Sequence, residues 1–489
     1  MIRFAAKSFF FFGLLATHTA WASLQILDPE IYQSQINRIQ AQQPALSHPS
    51  LRTTTQDELK SRAAGLDSSD AEFIRKMTMN TYEDDAWVFN AHLRSFFYAH
   101  NSRPLSFLQL DANTDPMFTR NNVYVPGNFG GVATQFYAEA FRFLSFDIKP
   151  FFLFHDVNGV GHATVQEMYG SIHINRLSID IGKTRLHWGY GAYQPMVFSA
   201  DSAPLSMIRL RSNEEIEMGF LGKVKFEMMY GWLDQFRDHP DGSIIGSTFS
   251  IQPTDRLHFH LAQSVLFGGH NSPTSNPLVF FNETFVDDPR NPANRNFTLG
   301  ARYRIPVIEI EPYADIYVED CCGKTGVSPR NMLNLFGLYM PPKDSGKKFD
   351  LAFEWVRTNH ITYRHQAFIY TQSRQILGHP LGPDGTGLYL IPRFFHSKQL
   401  QMDGLVSYEV RGREERGFSN LGFVDIRTAV PTFQSKETRY RVQQTTHYFL
   451  TPTWKWMLQA GLERVNDLNY QSGNNRWQYM VGVESAYNF

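Results

Sequence analysis

The run Trp477-Gln478-Tyr479-Met480-Val481-Gly482-Val483-Glu484-Ser485-Ala486-Tyr487-Asn488-Phe489 (WQYMVGVESAYNF) decides how this chain is read. Taken two at a time, Trp477, Tyr479, Val481, Val483, Tyr487 and Phe489 share one side, with Ser485 the one polar member. Gln478, Met480, Gly482, Glu484, Ala486 and Asn488 share the other. Side chains alternate across a strand, so this is a strand with one apolar, ring-rich face. Two settings use such a strand. A soluble sandwich half-buries it against a second sheet. An outer-membrane barrel turns the apolar face to lipid and the other to a polar lumen, and its last strand closes the sheet. A strand finishing on Phe489 fits the second setting, and it is the expected handle for the barrel-insertion machinery.

The other end and the composition favour the barrel. Arg3 and Lys7 precede an apolar run, Ser8 to Ala16 (SFFFFGLLA), and Ala20-Trp21-Ala22 supplies small residues before Ser23. This is the pattern of a secretory signal peptide over residues 1–22. No other stretch approaches the ~18 uninterrupted apolar residues of a membrane helix. Aromatics make up 15% of 489 residues, with 41 Phe and 22 Tyr, beside 46 basic and 47 acidic side chains. A barrel places rings on its lipid face and girdles while its lumen and loops stay charged. The net charge of −1 shows neither a nucleic-acid footprint nor a polybasic patch. Cys321 and Cys322 are neighbours, a strained geometry for a bridge and poor grounds for a metal site. No metal or cofactor is expected.

Residues 23–100 read as a helical segment on the periplasmic side. Asp28-Pro29 is an N-cap followed by Pro at the first helical position, and Thr55–Glu58 and Ser69–Glu72 have capping-box spacing. Three short amphipathic helices are expected, packed on or into the periplasmic mouth. Residues 101–489 read as an all-β domain, a transmembrane antiparallel barrel. Working back from the last strand, hairpins pair 438–450 with 454–463, 387–395 with 400–412, 331–340 with 348–356 and 296–303 with 308–318. Further hairpins pair 244–251 with 256–267, 213–220 with 223–232, 167–173 with 177–187 and 132–143 with 146–155. Closure with a periplasmic N-terminus needs an even number, and Pro104–Leu110 supplies the eighteenth strand. Short turns fall on one side and most long loops on the other, an asymmetry a sandwich gives no reason for.

Two of the long loops stand out. One runs from His187-Trp188-Gly189-Tyr190-Gly191 through Tyr193 and Phe198–Pro204 to Arg209 and Arg211; the other holds Ser373–Gly385. The strand count puts both outside the cell. Aromatic faces stack on pyranose rings, while carboxylates and guanidiniums reach hydroxyls and acidic substituents. Trp188, Tyr190 and Tyr193 are therefore candidates for stacking, Arg209, Arg211 and Arg374 for acidic groups, and Asp201, His379 and Asp384 for hydroxyls. The alternative is that the rings mark the interfacial girdle while Gly and Pro turn the loops. His360, Tyr363, Arg364 and His365 read as a solvated cluster.

The HWGYG, FSADSAP and LGKVKFEMMYGWL stretches, with RLHFHLAQSVLFGG and RQILGHPLGPDG following in order, resemble the Wzi-type capsule assembly family over residues 130–400. The resemblance implies an eighteen-stranded outer-membrane barrel with periplasmic helices, a lectin holding capsular or extracellular polysaccharide at the cell surface. The chain departs from the family pattern at Ser199-Ala200-Asp201, where Ser-Asn-Asn is usual, and at Ser206-Met207, where Pro-Gly is usual. These departures bear on the ligand more than on the fold.

Three function classes follow. The leading one is a non-enzymatic surface lectin, a monomer in outer-membrane lipid. The second is a porin or transporter, since eighteen strands enclose room for a channel. The third, an enzyme, lacks support: neither G-x-S-x-G nor H-E-x-x-H occurs.

Overall fold

The structure, a computed structural model, describes residues 87–100, 128–141, 143–155, 161–199, 202–235, 240–270, 293–319, 332–341, 349–359, 362–365, 368–372, 375–412 and 435–488. The barrel strands are β1 (Trp87–His100), β2 (Asn128–Ala140), β3 (Leu144–His155), β4 (Gly161–Ile174), β5 (Leu177–Thr184) and β6 (Leu205–Ser212). They continue with β7 (Lys223–Trp232), β8 (Ser243–Thr254), β9 (Leu257–Phe267), β10 (Asn294–Tyr303), β11 (Glu311–Glu319) and β12 (Met332–Met340). The last six are β13 (Phe349–Arg357), β14 (Gly385–Phe395), β15 (Leu400–Arg411), β16 (Glu437–Thr451), β17 (Trp454–Asn466) and β18 (Arg476–Asn488). Each pairs antiparallel with its neighbours in sequence, and β1 pairs with β18 from His92↔Asn488 to His100↔Met480. The sheet is a closed eighteen-stranded barrel, so no edge is left to satisfy.

The alternation read in the last strand is the wall itself. Trp477, Tyr479, Val481, Val483 and Tyr487 are exposed on the outside, while Gln478, Met480, Glu484 and Ala486 are buried inside. The same division holds around the barrel: Phe97, Phe136, Phe152, Val442, Leu458 and Leu462 face out. His92, Arg94, Asp180, Arg211, Glu354, Arg441 and Glu463 face in. The connections after β2, β4, β6, β8, β10, β12, β14, β16 and the end of β18 lie together. They are the short side, the periplasmic end of such barrels.

Two strand positions differ from the sequence reading. The first strand is Trp87–His100, inside the span read as helical, so the barrel begins about residue 87; Pro104–Leu110 lies outside the described residues. The reason is visible in Ser95-Phe96-Phe97-Tyr98: Phe97 faces lipid, but Phe96 and Tyr98 are buried inside against Phe151 and Glu484. Rings on both faces erase the alternation. The sixth strand is Leu205–Ser212 rather than Asn213–Phe220. Within the latter only Ile216–Glu217 pairs with β7, before a 3-10 turn at Gly219–Leu221 closed by Gly222 at φ 69°. The signal peptide, the part of the expected helical segment 23–100 that precedes residue 87, Cys321 and Cys322 fall outside the described residues.

Candidate functional site: two loops folded into the lumen

The long connection 185–204 between β5 and β6 does not stand out into solvent. It crosses the lumen, and the far walls catch it. Trp188 donates its indole N–H to Glu227 Oε2 on β7 at 2.8 Å and meets Phe198 edge to face at 4.8 Å. Tyr190 N donates to Asp315 Oδ2 on β11 at 2.7 Å. Ala192 N and Tyr193 N donate to the two oxygens of Glu354 on β13, at 2.5 and 2.9 Å. The Tyr193 ring then stacks on Tyr389 of β14 at 4.4 Å, and its hydroxyl accepts from Arg441 Nη1 on β16 at 3.2 Å. A loop rooted at β5 is thus fixed as far round as β16.

Glycines on the wall make room for the rings. A Cβ on Gly246 of β8 would sit 2.9 Å from Trp188 Cζ3, and one on Gly300 of β10 would sit 2.9 Å from Tyr190. Between them the carboxylates of Glu227, Asp315 and Glu354 supply acceptors for loop N–H groups that have left water. Buried donors need partners, and these side chains supply them.

The second connection, 358–384, packs on the first. Tyr363 is its latch: the hydroxyl donates to Met196 O at 2.7 Å and accepts from His379 N at 2.8 Å. Ser199 N donates to Leu377 O at 2.6 Å, and Tyr363 N donates to Glu319 Oε2 on β11 at 3.1 Å. Burial holds the Tyr363 phenol above its usual pKa, so it stays a donor. Gly378 lets the loops approach closely, for a Cβ there would lie 2.4 Å from Met196 O. His379 accepts from Leu381 N through Nδ1 at 3.1 Å. Burial, with Arg411 aiding and Glu409 opposing, pushes its pKa down to about 3. The ring is neutral and carries its proton on Nε2. Asp384 sits at φ 53°, donating its N–H to Asn359 O at 2.8 Å and accepting from Gly412 N at 2.9 Å, so it shapes the entry to β14.

The expected site residues therefore fall into separate places. Trp188, Tyr190, Tyr193, His379 and Asp384 are brought into one loop assembly; Trp188 and His379 are 0% exposed, and Tyr193 alone of the three rings is partly open. The sequence places them on exposed loops outside the cell, but the loops fold inward and bury all of them except Tyr193, which is partly open. Arg209 and Arg211 are not loop residues at all: they stand on β6 toward the periplasmic end, both bound to Asp180 of β5. Asp201 and Arg374 lie outside the described residues. Tyr363, read as solvated, is fully buried. Glu227, Asp315, Glu354 and Tyr389 went unread, since an inward charge or ring on a strand does not say which loop it will catch.

Higher on the wall, Arg411, Arg439 and Arg441 alternate with Glu409, Glu437 and Glu463 at 2.9, 2.8 and 2.5 Å. Among the described residues no group of His, Cys, Asp and Glu is arranged to hold a metal ion.

A family model described as capsule assembly protein Wzi matches residues 80–478. The chain belongs to the Wzi capsule assembly family. Among solved structures, it is similar to Wzi of Escherichia coli, described as an outer membrane protein involved in group 1 capsule assembly and a carbohydrate binding β-barrel. That likeness has 13% identity and a TM-score of 0.67, covering 95% of this chain and 99% of the other. OprD of Pseudomonas aeruginosa follows at 10% identity and TM-score 0.48, covering 82% and 95%. OccK5 of the same organism stands at 8% and 0.47, covering 82% and 98%. At these identities the likeness concerns the fold. No curated protein sequence matches. This Wzi-family chain is an outer-membrane β-barrel, with a lipid-facing belt and a charged interior.

Proposed function

We propose that this barrel binds capsular or extracellular polysaccharide and helps assemble or retain it at the cell surface, neither transforming it nor passing solute through the lumen. One observation carries the reading: loop 185–204 spans the lumen and is tied by its backbone to Glu354 on a distant strand. A loop fixed across the lumen narrows any solute path, and a display platform needs its loops fixed. Family membership and the carbohydrate binding of Escherichia coli Wzi support the same reading. In it, Trp188, Tyr190, His379 and Asp384 act by holding the platform in shape. Tyr193 and the outer surface of the two loops offer the sugar contacts, with Asp201 and Arg374 as further candidates. The barrel works as a monomer in outer-membrane lipid, inserted through its C-terminal strand.

Deleting the gene in its host and weighing cell-attached against shed polysaccharide tests the proposal. Loss of attachment with total synthesis unchanged is expected; unchanged attachment would overturn it. Purified barrel in a planar bilayer is expected to show no steady conductance, and a stable open channel would favour a porin.

A further inference from the structure

Arg209 and Arg211 are sequence candidates for meeting an acidic group, and the structure keeps that possibility at a different place. Asp180 lies between them on the lumen wall. Its Oδ2 accepts from Arg209 Nε and Nη2, at 2.8 and 2.6 Å, and from Arg211 Nε at 2.9 Å. Its Oδ1 accepts from Ser171 Oγ at 2.6 Å. Arg209 thus engages the carboxylate with two nitrogens and Arg211 with one. The Nη1 and Nη2 atoms of Arg211 have no hydrogen-bond partner, although the side chain is 1% exposed. Two positions on, Asn213 repeats the situation. Its Oδ1 accepts from Ser178 Oγ at 2.6 Å, while its buried Nδ2 has no acceptor. Ser178 also meets His173 Nδ1 at 2.5 Å, and His173 Nε2 meets Ser145 Oγ at 2.9 Å, so these neighbours are already engaged.

Buried donors without acceptors are rare, and a guanidinium with both terminal nitrogens idle marks a missing partner. The partner must accept only, and must suit a planar fork. The single charge of Asp180 is divided between two guanidiniums. On neighbouring β7, the carboxylate of the buried Glu227 accepts from the Trp188 indole. The free end of the Arg211 fork is left with donors and no acceptor. We propose that Arg211 and Asn213 form a binding site for one carboxylate, gripped by Nη1 and Nη2 of Arg211 with the Asn213 amide beside it, near the periplasmic end of the lumen. A carboxylate fits the fork bidentately, whereas a lone water can satisfy only part of it. Asp180 is the positioning residue that turns the free end of the fork outward.

The carboxylate has two possible sources: a small acid from solution, or an Asp or Glu from residues 23–86 of the same chain. Equilibrium dialysis of the full-length protein against radiolabelled acetate separates them, since slow entry into a buried site does not spoil an equilibrium measurement. One acetate per chain is expected. Arg211→Gln should weaken it about tenfold or more, and Asn213→Ala by a smaller factor, as loss of a charge-assisted pair and of one neutral bond require. If the native protein takes none, the same dialysis is run on a full-length variant whose Asp and Glu at 23–86 are changed to Asn and Gln. Uptake there, abolished by adding Arg211→Gln, assigns the carboxylate to the chain itself and also upholds the site. No uptake by either protein, both still showing folded-barrel gel mobility, overturns it: the fork then holds water alone. Equal uptake by native protein and Arg211→Gln overturns it as well. The inference stands apart from the polysaccharide reading, which cell-attached polysaccharide tests and acetate does not.

Discussion

The strand Arg476–Asn488 and the loop 185–204 are built from similar residues, yet they use them in opposite ways. Trp477 and Tyr479 are 57% and 49% exposed; Trp188 and Tyr190, also two residues apart, are 0% and 3% exposed. On β18 nothing stands across from the rings, so lipid takes them. In the loop each ring meets a wall shaped for it, Gly246 and Glu227 for the first and Gly300 and Asp315 for the second. Aromatic spacing therefore reports that a surface will be covered. The covering itself, lipid or protein, is set by the opposing strand.

The comparison breaks most readily at the carboxylate anchors. Glu354→Ala leaves the Ala192 and Tyr193 amides and the Tyr313 hydroxyl without their acceptor. A loss of about 3–5 kcal/mol is expected, with the loop opened to protease, as read by urea unfolding and limited proteolysis. On the lipid side, Val481→Arg should cost roughly 2–4 kcal/mol, while Gln478→Arg, inside on the same strand, should cost little. Refolding into vesicles followed by gel mobility would show both; equal effects would mean that the two faces are not what they are taken to be.

Smaller changes sharpen the picture at the loop contact. Gly378→Ala forces a methyl against Met196 O and Tyr363, for an expected cost of about 1–3 kcal/mol. Tyr363→Phe removes the hydroxyl that serves both loops and should cost ~1–2 kcal/mol, with faster hydrogen exchange confined to His379 and its neighbours. Acid tests the same loop contact through one buried ring. With its pKa pushed down to about 3 from the ordinary 6.5, His379 is folded in its neutral form. Its share of stability is intact above the unfolded value and drains away as pH falls from there toward the folded value. Native protein should lose urea resistance across that window, and His379→Phe should flatten the slope.

The fold was largely legible because the lipid face imposes a rule on every strand. Tyr487, Val483, Val481 and Tyr479 obey it, and short turns alternate with long loops without regard to any partner. It failed where the lumen also wanted rings, at Phe96 and Tyr98 of β1, and where Leu205 and Met207 of β6 face inward beside Arg209 and Arg211. The site was legible only as a list of residues. Trp188, Tyr190, Tyr193, His379 and Asp384 do come together, but the seating of Tyr190 and Tyr193 depends on Asp315, Glu354 and Tyr389, which lie far along the chain from them. No local pattern in Phe349–Arg357 says that Glu354 will hold the backbone of residues 192 and 193.

The distance along the chain between those partners sets an order of events. Tyr190 waits for Asp315, 125 residues later; Ala192 waits for Glu354, 162 residues later; Tyr193 waits for Arg441, 248 residues later. Contacts of such separation form late and slowly. During assembly Trp188 can reach Glu227 of β7 on a nearby strand, but the stretch from Tyr190 to Tyr193 has no wall to seize until it shares the sheet with strands β11 to β16. The barrel must therefore be nearly complete before that stretch of the loop is locked.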